Sequence, residues 1–193
     1  MAKDLLRQRF FFTRHGQTDW NFQKLCQGSK DIPLNEKGLL EAKNLASEVM
    51  DLDISCIVSS PLMRAQQTAK AIRDVHPQAT FHIIPELAER CWGNLEGMSS
   101  EQMYAIEKLE EQDSLYNPGH GVEERPAFRQ RVLHAVTLAQ SFHNHPFIVS
   151  HGRVFFELCS ILGVVPMRQI PGCRVFEIHP IFDGWKIIPL KKF

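Results

Sequence analysis

Three short segments of this chain place arginine or histidine beside small or turn-forming residues: Thr13-Arg14-His15-Gly16, Ser59-Ser60-Pro61-Leu62-Met63-Arg64 and Ser150-His151-Gly152-Arg153. That combination suits an anion. A guanidinium offers paired N–H donors that match phosphate or carboxylate oxygens. An imidazole is either a nucleophile with a free lone pair or a hydrogen-bond donor, according to its protonation. Arg14, Arg64, His15 and His151 brought together would hold one anion from several sides. A helix beginning near Gly152 would add free backbone N–H groups and the positive end of its dipole. Global charge does not supply that attraction, because 22 Lys and Arg are balanced by 22 Asp and Glu. The cluster must be local, and neither a nucleic-acid binder nor a membrane-surface binder is expected.

For the three segments to converge, each must stand at the end of a buried element. Phe10 to Thr13 is a short apolar run ending in polar residues, the pattern of a buried strand opening into a loop. Asn35 reads as the N-cap of a helix with Leu39, Ala42, Leu45, Ala46 and Val49 on one face. Ile54 to Ser59 reads as a second strand stopped by Pro61, followed by a helix that turns Ala65, Ala69 and Ile72 inward. Phe81 to Ile84 is a third strand. Residues Glu110 to Pro126 are polar, contain Asn117-Pro118-Gly119, and read as an irregular loop. From Pro126 a long amphipathic helix carries Phe128, Val132, Ala135, Val136 and Ala139. Phe147 to Ser150 is a strand, and Val154, Phe155, Leu158, Ile161 and Leu162 mark the helix after it. Val175 to His179 and Trp185 to Leu190 are two closing strands. This alternation predicts an α/β fold, a three-layer α/β/α sandwich around a mostly parallel sheet of about six strands. In such sheets ligands gather where strands end and loops begin.

A chain of 193 residues fits a single domain, 1–193, with a sizeable core. Its 44% hydrophobic and 23% charged residues are those of a globular protein. No apolar run approaches a membrane span. Met1 to Arg9 leads into only three phenylalanines, too short for a signal-peptide core. Five scattered cysteines without CxxC spacing point to a reduced compartment, so a cytoplasmic location is expected. His76, His82, His134 and His179 show no ligand spacing, His143 and His145 sit near a helix end, and no metal is expected. Trp20 and Trp92 read as packing residues.

Longer blocks surround the three segments. They are Thr13-Arg14-His15-Gly16-Gln17-Thr18-Asp19-Trp20-Asn21, Gln27-Gly28, Asp31-Ile32-Pro33-Leu34-Asn35-Glu36-Lys37-Gly38, Ser59 through Ala69, Glu86-Leu87-Ala88-Glu89-Arg90-Cys91-Trp92-Gly93, and Val149-Ser150-His151-Gly152. In their order and content they resemble the histidine phosphatases, the phosphoglycerate mutase-like superfamily, from Phe11 to about Glu177. The resemblance implies a phosphohistidine on His15, formed by attack of the neutral imidazole on a phosphomonoester and later cleaved by water. It implies that Arg14 and Arg64 grip the non-bridging oxygens and that His151 donates to the charge spread over them in the transition state. Glu89 is implied as the proton donor to the leaving group and the acceptor from water. Asn21, Gln27, Gly28 and Gly152 are implied to line the phosphate pocket. The scheme requires no metal and no cofactor.

The same comparison separates two outcomes. A mutase must hold a second anionic group, and the phosphoglycerate mutases carry extra arginines in an insertion after the glutamate block. Here Met98 to Gln112 carries Glu101, Glu107, Glu110 and Glu111 against Lys108 alone. Asn117-Pro118-Gly119-His120-Gly121-Val122-Glu123 resembles the Pro-Gly-Gly-Glu loop of the phosphatase branch, with Val122 and His120 as departures. Hydrolysis of a small phosphorylated metabolite is therefore expected, with a lid-like insertion around 94–126. A phosphoglycerate mutase is the alternative, and a non-catalytic phosphate- or phosphopeptide-binding module ranks last because His15 and Glu89 are both present. Arg153 follows Ser-His-Gly where relatives place a small or amide residue. It either contacts a second anionic group of the substrate or forms a salt bridge to a nearby carboxylate. A helical face or an edge strand could serve a homodimer.

Overall fold

The computed structural model describes residue 6 and residues 8–113, 116–142 and 145–190. His143 therefore lies outside the described residues. Six strands form one sheet: β1 Phe10–Arg14, β2 Cys56–Ser59, β3 Thr80–Ile83, β4 Phe147–Ser150, β5 Val175–Ile181 and β6 Gly184–Pro189. Their order is β3-β2-β4-β1-β5-β6. The first four are mutually parallel, β5 runs antiparallel to β1, and β6 antiparallel to β5. Burial on both faces explains why the parallel strands β1, β2 and β4 are continuous apolar runs with little alternation, while β3 at the sheet edge is partly exposed.

Helices cover the two faces. Phe10, Phe12, Val58 and Ile148 pack against α5 (Arg125–Phe142) and α6 (Gly152–Leu162) through Val132, Ala135, Val154 and Phe155. Phe11, Ile57, Phe147 and Val149 face α2 (Glu36–Val49) and α3 (Met63–Val75) through Ala42, Leu45, Ala65, Ala69 and Ile72. Asn35 caps α2, its side-chain oxygen accepting the Gly38 N–H at 2.9 Å. Gly163, in the left-handed conformation at φ 71°, ends α6.

Several expected boundaries shift. Leu39 is 45% exposed, because the first turn of α2 presses Gly38 onto the Gln17 carbonyl and leaves Leu39 at the rim. The second strand begins at Cys56 rather than Ile54. Glu110 to Gln112 are not loop: they finish α4 (Ser100–Gln112), and α5 begins at Arg125. Helix α4 lacks an apolar stripe because two of its three buried residues are Glu107 and Glu110, each held by an arginine. A short helix α1 (Asp19–Phe22) was also not foreseen. A small cluster of Cys26, Trp92, Leu95, Ile106 and Val122 fastens the 94–126 segment over the loop after α1. Among the described residues, no helix is long and apolar enough to cross a membrane.

Candidate active site

Sheet register brings the three segments level. Arg14 pairs with Ser150 and Ser59 with Val149. The His15 N–H then donates to the Ser150 carbonyl at 3.1 Å and the Ser60 N–H to the Val149 carbonyl at 3.0 Å. His15, Ser60 and His151 thus leave the sheet side by side; His15 lines a cavity of about 740 Å³, whereas Ser60 and His151 are fully buried and do not line it.

His15 is 3% exposed. Its Nδ1 lies 2.7 Å from the Gly16 carbonyl. A carbonyl only accepts, so Nδ1 carries the proton and Nε2 keeps its lone pair. That lone pair faces Arg64, whose Nε–H donates to it at 3.2 Å. Burial, then the guanidiniums of Arg64 and Arg14, hold the imidazole well below its ordinary pKa against the opposing pull of the Gly16 hydrogen bond. The ring is therefore neutral, with the lone pair of Nε2 directed toward Arg64.

His151 is fully buried with its ring centroid 5.2 Å from that of His15. Burial, followed by Arg64, likewise keeps it neutral by pushing its pKa well down. Its Nε2 lies 2.6 Å from Ser60 Oγ, which also accepts the Leu62 N–H at 3.3 Å. Ser60 Oγ keeps its proton and a second lone pair, and the tautomer that leaves a His151 Nδ1–H free for a ligand is the one in which Ser60 donates its O–H to Nε2. That Nδ1 is buried and has no hydrogen-bond partner among the described residues.

Arg64, on the first turn of α3, is 1% exposed. Its terminal nitrogens donate to the Lys30 carbonyl at 2.6 Å and the Gly28 carbonyl at 2.8 Å, and burial lowers its pKa to about 10. Arg14 donates to the Ile170 carbonyl at 3.0 Å, and burial lowers its pKa against the attraction of Glu89. Both arginines line the cavity together with His15 and Glu89. Thr68 Oγ1 ties the floor together, accepting the Gly16 N–H and donating to the Arg64 carbonyl.

Glu89 sits against the N-terminus of α6. One carboxylate oxygen accepts the Arg153 N–H at 3.1 Å, the other the Arg90 N–H at 3.0 Å. The loop carrying it is fastened from α5. All five N–H bonds of Arg131 are used: two to Glu123 at 2.6 and 2.8 Å, and one each to the carbonyls of Glu86, Ala88 and Glu89 at 2.6, 2.7 and 3.1 Å. Arg90 is buried in a paired contact with Glu110 at 2.8 and 2.5 Å and also donates to the Glu123 carbonyl. Glu123 lies in the loop that resembles that of the phosphatase branch, but nothing in its spacing from Arg131 indicated this anchoring.

The remaining residues read from the sequence also line the cavity. Asn21 and Thr18 form a capping box at α1, and Gln27 accepts from Thr18 at 2.9 Å, so both amides are oriented by one threonine. Gly28 has φ 51°, and a Cβ there would lie 2.1 Å from Glu96 Oε1, itself held by Ser29 and Trp92. Gly152 is the first residue of α6 and leaves room beside Arg14. Arg153 takes the second of its two expected arrangements. Its guanidinium grips both oxygens of Glu107 on α4 at 2.8 and 2.7 Å and donates to the Arg168 carbonyl. Burial pushes the Glu107 carboxyl above its ordinary pKa, with Arg153 opposing. Ser60, Thr68 and Glu107 lie beside residues the sequence singled out, yet only their contacts assign them roles. Trp92 is fully buried, and the five cysteines are free thiols. Among the described residues, no three His, Cys, Asp or Glu gather to form a metal site.

A family model described as the histidine phosphatase superfamily (branch 1) matches residues 10–186. The uncharacterized phosphatase PhoE of Bacillus subtilis (strain 168) is 42% identical over 89 residues, 46% of this chain, and the match spans only 46% of that relative's length. Two relatives align over most of both chains at 31% identity. One is named a probable phosphoglycerate mutase, GpmB, of Erwinia tasmaniensis (91% of this chain, 86% of the relative). The other is named an adenosylcobalamin/alpha-ribazole phosphatase of Salmonella typhimurium (86% and 85%). The solved structure of Bacillus stearothermophilus YhfR superposes with a TM-score of 0.79 at 25% identity, over 94% of this chain and 96% of that one. With its motifs gathered at one cavity and a family match over nearly its whole length, the chain belongs to branch 1 of the histidine phosphatase superfamily.

Proposed function

We propose that this protein is a metal-independent phosphomonoesterase that acts on a small phosphorylated metabolite through a phosphohistidine on His15. The observation that carries the reading is the tautomer of His15, with Nδ1–H on the Gly16 carbonyl and the Nε2 lone pair facing Arg64. In the first step Nε2 attacks phosphorus, the bond to the ester oxygen breaks, and protonated Glu89 gives its proton to that oxygen. In the second, Glu89 takes a proton from water as the water oxygen bonds to phosphorus, and the P–Nε2 bond breaks to release inorganic phosphate. Arg14, Arg64 and the Nδ1–H of His151 hold the equatorial oxygens throughout, so positive charge and donors are supplied without a metal.

Mutase chemistry is the second reading, favoured by the relative named as such. It would need a group to hold the second anion, and the charged side chain that α4 brings to the cavity is Glu101. The test is hydrolysis of para-nitrophenyl phosphate with EDTA present, by wild type and His15→Ala. Turnover lost in the variant, together with phosphate found on His15 after rapid quenching, supports the phosphatase. Bisphosphoglycerate-primed isomerisation of a monophosphoglycerate without net phosphate release would favour the mutase.

A further inference from the structure

We infer that Glu107 is a specificity-determining residue that withholds Arg153 from the substrate, so that the site selects phosphomonoesters whose leaving group is apolar and uncharged. The inference rests on the phosphatase reading and names the substrate class of that same site. Arg153 lines the cavity just after Gly152. An unpaired guanidinium there would attract a carboxylate or second phosphate lying near the transferred one. Glu107 accepts from Arg153 Nη1 through both carboxylate oxygens at 2.8 and 2.7 Å while Nη2 donates to the Arg168 carbonyl, in a pair whose side chains are 9% and 8% exposed. Burial makes the pair expensive to open, because an opened Glu107 would be a desolvated carboxylate without a partner.

Of the other cations on the wall, Arg168 pairs with Glu111 at 2.6 Å, and Lys24 lines the cavity together with Glu101, which brings the opposite charge. Arg153 and Arg168 are thus each held by a glutamate, whereas Arg14 and Arg64 are held by backbone carbonyls and His15, and two guanidiniums match one phosphate dianion. The wall also carries Leu25, Met103, Tyr104 and Ile170, surfaces that suit an apolar or aromatic group, beside the polar Ser100 and Gln169. A cavity of about 740 Å³ leaves ample room for one beyond the phosphate.

The test uses two esters that differ by one charge, phenyl phosphate and 2-carboxyphenyl phosphate, with wild type and Glu107→Gln. Wild type should prefer the uncharged ester by about tenfold or more in kcat/KM, a difference equal to one mismatched charged contact. Glu107→Gln should shift that ratio toward the carboxylated ester by about tenfold, chiefly through KM. Equal rates for both esters in wild type would overturn the inference, as would an unchanged ratio in a folded Glu107→Gln. If the variant does not fold, the wild-type ratio decides alone. If wild type turns over neither ester, the phosphatase reading fails. Calorimetric titration of the unreacted protein with the same two compounds then supports the inference if phenyl phosphate binds more tightly, and overturns it otherwise.

Discussion

Arg131→Met removes the fastening of the Glu89 loop and the guanidinium that lies 4.7 Å from the Phe128 ring centroid, while keeping most of the side chain's apolar length. Five hydrogen bonds disappear, two to the Glu123 carboxylate and three to the carbonyls of Glu86, Ala88 and Glu89. Bonds to a charged donor are worth about 1.5–3 kcal/mol each when buried. The Arg131 and Glu123 side chains are 22% and 18% exposed, so water can replace part of that. The expected loss of unfolding free energy is about 3–5 kcal/mol, in the range for breaking one side of a buried charged network. The functional consequence is more specific, because Arg131 acts through Glu89 and not on the phosphate. With Glu89 as the proposed proton donor, an alkyl phosphate, whose leaving group needs that proton, should lose about 10²-fold in kcat. Para-nitrophenyl phosphate leaves without protonation and should lose under about tenfold. Denaturant titration and kcat on both esters check the two parts. An equal fall for both esters would refute the positioning argument, and a stability loss below about 1 kcal/mol would refute the energetic one.

Three further outcomes follow from the same geometry. His15 and His151 are both held neutral with folded pKa values well below the ordinary 6.5. Below that pH the unfolded chain therefore binds protons the folded one does not, and stability falls with acidification by up to about 2.7 kcal/mol per pH unit for the two together. Chemical denaturation between pH 7 and 5 should show a clearly shallower slope in His15→Asn, and identical slopes would exclude the neutral assignment. Ser60→Ala should lower kcat about tenfold by freeing the His151 tautomer. Nitrogen NMR that placed the wild-type His151 proton on Nε2 would sink that account. Gly28→Ala, forced to a positive φ and against Glu96, should displace the carbonyl that holds Arg64. It should cost about 1–3 kcal/mol and weaken phosphate inhibition, and an unaltered inhibition constant would speak against it.

The alternation of apolar runs and amphipathic stretches was enough for the sandwich. Strands buried on both faces and helices with one buried side carry those patterns in local sequence. The cluster was legible for a related reason: Arg14 and His15 lie at the end of one strand, His151 directly after a second and Arg64 on the helical turn that follows a third, and parallel pairing must bring such ends together. Helix α4 escaped notice because its inward positions are glutamates, and a buried carboxylate is only tolerable beside an arginine that comes from far along the chain. The same dependence on distant partners hid the anchoring of Glu89 by Arg131 and left the role of Arg153 open between substrate and carboxylate. Residue types and their order thus determined the chemistry the chain could hold. Which guanidiniums remain free to perform it was decided only by tertiary packing, because a charge removed from water takes whatever partner the fold brings within reach.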